Sequence, residues 1–275
     1  MRIAVTAPGG PIVPEVAERV TRLAAERRPG VEVVFHPQCF EVWGHFAGTD
    51  ASRRDALLEV ANDAAFDAVW FARGGYGSYR IVEAVLAGLG PVARCKAWMG
   101  YSDVGVLLAG LYRDGFQDVA HGPMPGDVRR EGGEAAIARA LDWLVDRDPS
   151  ALEPSLKEDP RPAAAFNLII LSHLMGTPLQ PDLKGHVLLL EEVSEAMYRI
   201  DRALGHVVGT PAMRELAGIR LGRCDPTPNE PDFAQTEEAV ARFWCERAGI
   251  PFLGTADIGH DAGNRVVPFG RRSGL

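Results

Sequence analysis

The sequence predicts an α/β protein: a parallel sheet with helices on both faces, followed by a second domain. Three observations carry this. Over the first ~125 residues, short apolar runs alternate with amphipathic stretches, the pattern of successive strand–helix–strand units. After His121-Gly122-Pro123-Met124 the texture changes, and residues 148–162 hold Pro149, Pro154, Pro160 and Pro162 in a polar setting, which marks a linker. The length of 275 residues is also about two domains at roughly 150 residues each. The boundary is therefore expected near 150–163, with units 1–150 and 163–275.

Ile3-Ala4-Val5 reads as a buried strand. Pro14 suits a helix start, and Val16, Val20, Leu23 and Ala24 share one face of a helix over Glu15 to Arg27. Val31 to Phe35 is a second strand. Ser52 reads as the N-cap of the next helix, with Leu57, Leu58, Ala61 and Ala65 inward. Ala68 to Ala72 is a third strand, and Tyr79 to Leu89 a helix. Ala97 to Gly100 is a fourth strand, followed by a helix over Val104 to Tyr112. Ile137, Ala140, Leu141 and Leu144 align on a helix over Glu134 to Val145. In the second unit Gly185 to Leu190 is a strand.

Lys+Arg is 29 against Asp+Glu at 37, a net charge of −8, which argues against nucleic-acid binding through a broad basic face. No apolar run approaches the ~20 residues of a membrane helix, and no signal-peptide core precedes the first strand. A cytoplasmic protein without membrane or nucleic-acid partners is the expectation. Cys39, Cys95, Cys224 and Cys245 are scattered and form no C-x-x-C, so neither a zinc site nor a disulfide framework is expected, and most should be small packing residues.

Four segments can carry chemistry. In Gly100-Tyr101-Ser102-Asp103-Val104-Gly105 a serine stands between a strand and a helix. A tight turn there can present its hydroxyl above the sheet edge, with the next backbone N–H aimed alongside it. The match to G-x-S-x-G is incomplete, because Val104 occupies the second glycine position, and an ordinary N-cap serine is the plain alternative. Arg73-Gly74-Gly75-Tyr76-Gly77-Ser78 follows another strand. Its glycines can expose N–H donors for an oxyanion or a phosphate, although it is neither a dinucleotide fingerprint nor a P-loop, and a plain turn would look the same. Glu191 and Glu192 end the apolar run Leu188-Leu189-Leu190. A half-buried carboxylate needs a partner there: a catalytic imidazole is one, and a salt bridge to Arg199 or Arg202 is the alternative, preferred for Glu195. Finally His260 lies in the loop Ile258-Gly259-His260-Asp261, where it can reach a cleft; His121 is the other loop histidine. The remaining five sit in or beside strand- or helix-like stretches.

Arg73-Gly74-Gly75-Tyr76-Gly77-Ser78, Gly100-Tyr101-Ser102-Asp103, His121-Gly122-Pro123-Met124, Gly176-Thr177-Pro178, Leu190-Glu191-Glu192, Tyr198-Arg199-Ile200-Asp201-Arg202 and Ile258-Gly259-His260, in this order across nearly the whole chain, resemble the LD-carboxypeptidase family of serine peptidases. That family includes muramoyl-tetrapeptide carboxypeptidases and the microcin C immunity relatives. The resemblance implies a Rossmann-like N-terminal domain, a smaller β-rich C-terminal domain with the active site between them, and a homodimer. It implies Ser102 as nucleophile, His260 as general base and Glu191 as the residue orienting it. The backbone N–H groups of Asp103 and Gly75 would form the oxyanion hole. No metal or organic cofactor is required. The implied substrate is a small peptide, a cytoplasmic murein tetrapeptide cut before its terminal D-alanine. Arg73, with Gly74 beside it, would meet the leaving residue's carboxylate, a structural ion pair being the other role for Arg73. A peptidyl- or aminoacyl-nucleotide substrate, or a non-catalytic binding protein using the glycine loop, are the rival readings. Ala165-Phe166-Asn167-Leu168 stands where the family usually shows Gly-Gly-Asn-Leu, a departure that could reshape the cleft.

Overall fold

The computed structural model describes residues 1–227 and 232–270. The first half alternates β1 (Arg2–Thr6), α1 (Pro14–Arg27), β2 (Glu32–Phe35), α2 (Asp50–Asn62), β3 (Ala68–Phe71), α3 (Ser78–Gly88), β4 (Ala97–Gly100), α4 (Gly105–Arg113), β5 (Val119–His121) and α5 (Gly133–Asp146). The second half continues with β6 (Ala163–Asn167), α6 (Leu168–Leu174), β7 (Val187–Glu195), α7 (Met197–Gly209), β8 (Gly218–Pro226), α8 (Glu237–Ala248), β9 (Phe252–Thr255) and β10 (Val267–Pro268). The first sheet runs β2-β1-β3-β4-β5-β10 and is parallel throughout except for β10. The second is a separate four-stranded parallel sheet, β6-β7-β8-β9. This is the α/β class expected, with a parallel-dominated first sheet.

Strands buried on both faces need continuous apolar runs, and all four residues of β3, Ala68-Val69-Trp70-Phe71, are fully buried. α1 turns Val16, Val20 and Ala24 inward, and α5 turns Ile137, Ala140, Leu141 and Leu144. One core packs Phe71, Trp98 and Leu108 together with Phe166, Leu171 and Leu190, so it spans both sheets. A second, on the other face of the first sheet, joins Val5, Trp70 and Met99 to α1 and α5.

Two local features differ from the sequence reading. The N-cap of α2 is Thr49, whose hydroxyl accepts the Ser52 N–H at 3.1 Å; Ser52 lies inside the first turn and donates to Glu41. Ala65 falls beyond that helix and is exposed. In addition, β8 carries a bulge opposite β7: Leu190 pairs with Leu221 and Glu192 with Cys224, so Gly222 and Arg223 together face Glu191. The cysteines are all free, with Cys39 and Cys245 buried, Cys224 partly so and Cys95 exposed.

Candidate active site

β3 and β4 are adjacent in the first sheet, and both end at one crevice, the position where ligands bind in open parallel sheets. Past β4 the chain bends sharply. Gly100 permits this because a Cβ there would lie 2.6 Å from Val104 and 2.9 Å from Phe71. Tyr101 is extended, and Ser102 has φ +64°, a left-handed conformation that costs a non-glycine residue about 1–3 kcal/mol. The chain then enters a short 3-10 turn, Ser102–Val104, that leads into α4. This is the strand–turn–helix elbow that holds an alcohol clear of the sheet.

The neighbouring glycine loop is fitted against that elbow. A Cβ on Gly74 would lie 2.8 Å from both Cβ and Oγ of Ser102, so only glycine is accommodated. The Gly74 carbonyl accepts the Gly10 N–H at 3.2 Å. Peptides are planar and trans, so the N–H of Gly75 points the opposite way, and Gly75 lines the same cleft as Ser102. The buried Asp103 carboxylate accepts the Ser78 N–H at 2.9 Å and clamps the loop to the elbow. Burial holds the Asp103 carboxyl above its ordinary range against the hydrogen bonds from Ser78 and Gly77. From behind, the fully buried Arg53 donates to the carbonyls of Pro8 and Gly77 and pairs with Asp50.

His260 reaches the elbow from the second half of the chain. Its Nε2 lies 2.9 Å from Ser102 Oγ and its Nδ1 2.5 Å from Glu191 Oε2. Both imidazole nitrogens are thus engaged: Nδ1–H donates to the carboxylate, and Nε2 accepts the serine hydroxyl. Glu191 has no exposed surface. Burial alone would depress the His260 pKa, but the charge and hydrogen bond of Glu191 outweigh it and hold the imidazole above its usual value. The bulge in β8 makes this meeting possible. A Cβ on Gly222 would lie 2.6 Å from Ile258 and 3.0 Å from Glu191 Cβ, and Arg223 donates its N–H to the Ile258 carbonyl at 2.8 Å. The Arg223 guanidinium also pairs with Asp257 at 2.5 Å and with Asp261, on both sides of His260.

The cleft, about 340 Å³, is walled by Ile12, Val16 and Met124 and rimmed by Arg73, Arg129 and Arg130. Arg73 donates to the Pro11 carbonyl at 3.3 Å and forms no ion pair among the described residues. Glu195 instead pairs with Arg199 at 3.3 Å, as expected. Phe166 packs its ring, tilted by 58°, 5.1 Å from that of Phe269 within the core, and neither Ala165 nor Phe166 lines the cleft. His121 is not in a loop: it ends β5 and is buried.

Several residues at the site lay beyond sequence reasoning. Tyr101 packs its ring 4.8 Å from that of His260 and donates its hydroxyl to Asp127 at 2.7 Å. Asp127 in turn accepts from Met124 N–H and Arg130. A glycine within a strand pattern is a bulge signal, so Gly222 could have been found; Asp127 offers no comparable mark.

The LD-carboxypeptidase N-terminal domain model matches residues 3–122, and the corresponding C-terminal domain model matches 164–275. A Synechocystis sp. protein, provisionally named a carboxypeptidase, is 30% identical over 100% of this chain and 91% of its own. The murein tetrapeptide carboxypeptidase of Pseudomonas aeruginosa is 27% identical over 100% of this chain and 92% of its own. Among solved structures, the muramoyltetrapeptide carboxypeptidase of Oxalobacter formigenes superposes with a TM-score of 0.80 at 24% identity, covering 98% of this chain and 93% of that one. The microcin self-immunity protein MccF, bound to glutamyl sulfamoyl guanosine, gives 0.77 at 17% over 98% and 91%. An elbow serine, a carboxylate-backed imidazole and two family domains that together span most of the sequence lead to one conclusion: the chain belongs to the LD-carboxypeptidase family of serine-type hydrolases.

Proposed function

We propose that this protein hydrolyses the LD-peptide bond before the terminal D-alanine of murein tetrapeptides, in the cytoplasm and as a homodimer. The observation that carries the reading is the unbroken series Glu191–His260–Ser102 beside a cleft rimmed with arginines. In this reading residues 1–150 supply Ser102 and the oxyanion donors, and residues 163–275 supply Glu191 and His260. His260 Nε2 takes the hydroxyl proton as Ser102 Oγ bonds to the scissile carbonyl carbon. The carbonyl oxygen becomes an oxyanion held by the N–H groups of Asp103 and Gly75. On collapse His260 gives the proton to the departing amine, and free D-alanine leaves. Water then repeats the two steps and releases the tripeptide. Glu191 accepts from Nδ1–H and fixes the tautomer that leaves Nε2 free to accept. Arg73 takes the leaving residue's carboxylate, its guanidinium bonding only the Pro11 carbonyl and forming no ion pair among the described residues.

MccF's shared fold supports a second reading, a peptidyl- or aminoacyl-nucleotide amide as substrate. Mass spectrometry of the protein with murein tetrapeptide and with an aminoacyl-nucleotide mimic separates the two. Loss of one alanine from the tetrapeptide is expected. Ser102→Ala should lower that rate by ~10³-fold or more at unchanged circular dichroism. Arg73→Ala should raise KM by about tenfold or more. Cleavage of the nucleotide mimic alone would replace the substrate assignment, and full activity of Ser102→Ala would overturn the mechanism.

A further inference from the structure

Asn264, four residues beyond His260, has no exposed surface. Its side-chain Oδ1 receives two hydrogen bonds. One comes from the backbone N–H of Gly259 at 3.2 Å, the other from His121 Nε2 at 3.0 Å. Gly259 immediately precedes His260, so the first bond fixes the Ile258–Gly259 peptide, one residue ahead of the one that carries the imidazole. The second bond reaches the first sheet. His121 ends β5, and its register partner on β4 is Gly100, two residues before Ser102. A short frame therefore runs from Ser102 through Gly100, His121 and Asn264 to His260.

Asn264 is itself held on its other side. Its carbonyl accepts from Arg139 of α5 at 2.7 Å, and its N–H donates to the Asp261 carbonyl at 3.2 Å. The Tyr101 ring fills the frame, 5.4 Å from the His121 ring and 4.8 Å from that of His260. We propose that Asn264 is the positioning residue of the base: by accepting from Gly259 and His121 together, it sets the His260 imidazole in line between Glu191 and Ser102. This rests on the reading of His260 as the general base.

In this frame His121 is held uncharged. Complete burial holds its imidazole below the ordinary value, against the opposing pull of Glu191, and the neutral ring donates from Nε2. The ionisable groups acting on His260 are Glu191 from β7, Asp127 and Arg130 from the turn that follows β5, and His121 itself.

The amide nitrogen of Asn264 has no hydrogen-bond partner among the described residues. This makes Asn264→Asp an informative change: both bonds at Oδ1 survive, no bond is given up at the other atom, and a negative charge is added close to His260. Asn264→Ala, by contrast, removes both bonds. With the full-length enzyme and murein tetrapeptide, Asn264→Ala should lower kcat about tenfold or more with little change in KM, since the base is displaced but the cleft is not. Asn264→Asp should recover much of that kcat and move the acid limb of kcat/KM to higher pH by about half a unit or more, because an added negative charge favours the imidazolium. A folded Asn264→Ala enzyme with unchanged kcat would overturn the proposal. So would a folded Asn264→Asp enzyme whose kcat falls about tenfold or more below wild type although both acceptor bonds are kept, a test that stands even if the alanine variant fails to fold. Activity surviving in Ser102→Ala would instead refute the triad reading itself, whereas a Ser102-dependent enzyme indifferent to Asn264 refutes this inference alone.

Discussion

A single carboxylate sets the pH behaviour of the site. Glu191 lifts the pKa of a buried imidazole that burial by itself would lower. With His260 as the proposed base, which works only when neutral, activity should fall as pH drops through a value above that of ordinary histidine. Glu191→Gln removes the charge and leaves burial unopposed. Its acid limb should lie at lower pH than wild type, while kcat falls by about 10²–10⁴ for want of the right tautomer. A pH–rate profile of both enzymes checks this; coincident limbs would show that Glu191 does not govern the imidazole. At this scale the sequence is most legible where chemistry leaves a local mark: the serine after an apolar strand, the acid ending another, the histidine between glycines. The contacts that hold them are legible only in part, because Tyr101 with Asp127, or His121 with Asn264, are separated in sequence by 26 and 143 residues. No spacing rule connects such pairs.

Among the helices, α2 tests capping most directly. Thr49 accepts the Ser52 N–H, so Thr49→Ala should cost about 1 kcal/mol and lower the melting temperature by roughly 2–4 °C. Ser52→Ala should cost less, since its hydroxyl bonds Glu41 at a partly exposed position. Equal losses in thermal melts would contradict the assignment. The sequence placed the cap three residues late because Thr49 and Ser52 are both good caps, and only the backbone decides between them. Strong periodicity made α1 and α5 legible nearly to the residue. The bulge in β8 left one local mark, Gly222 within a strand pattern, but the distant loop it accommodates left none.

Across the whole molecule, the two sheets share one apolar core, which holds Leu107 and Leu108 of α4 together with Phe166 of β6 and Leu171 of α6. We therefore expect a single calorimetric transition whose van't Hoff and calorimetric enthalpies agree; two resolved transitions would show that the halves melt independently. Strand–helix alternation made the parallel sheets legible, but the return of the chain to its first sheet was not, because β10 is only two residues long. That return has a further effect. Sheets end in rows of unpaired amides that invite strands from other molecules. Here the outermost rung beyond β5 is brief and contains Pro268, which has no N–H to offer, and the next residues cross over so that Gly270 and Ala163 exchange hydrogen bonds with each other. That border of the first sheet is thereby closed to a foreign strand, and among the described residues its open border is the opposite one, at β2.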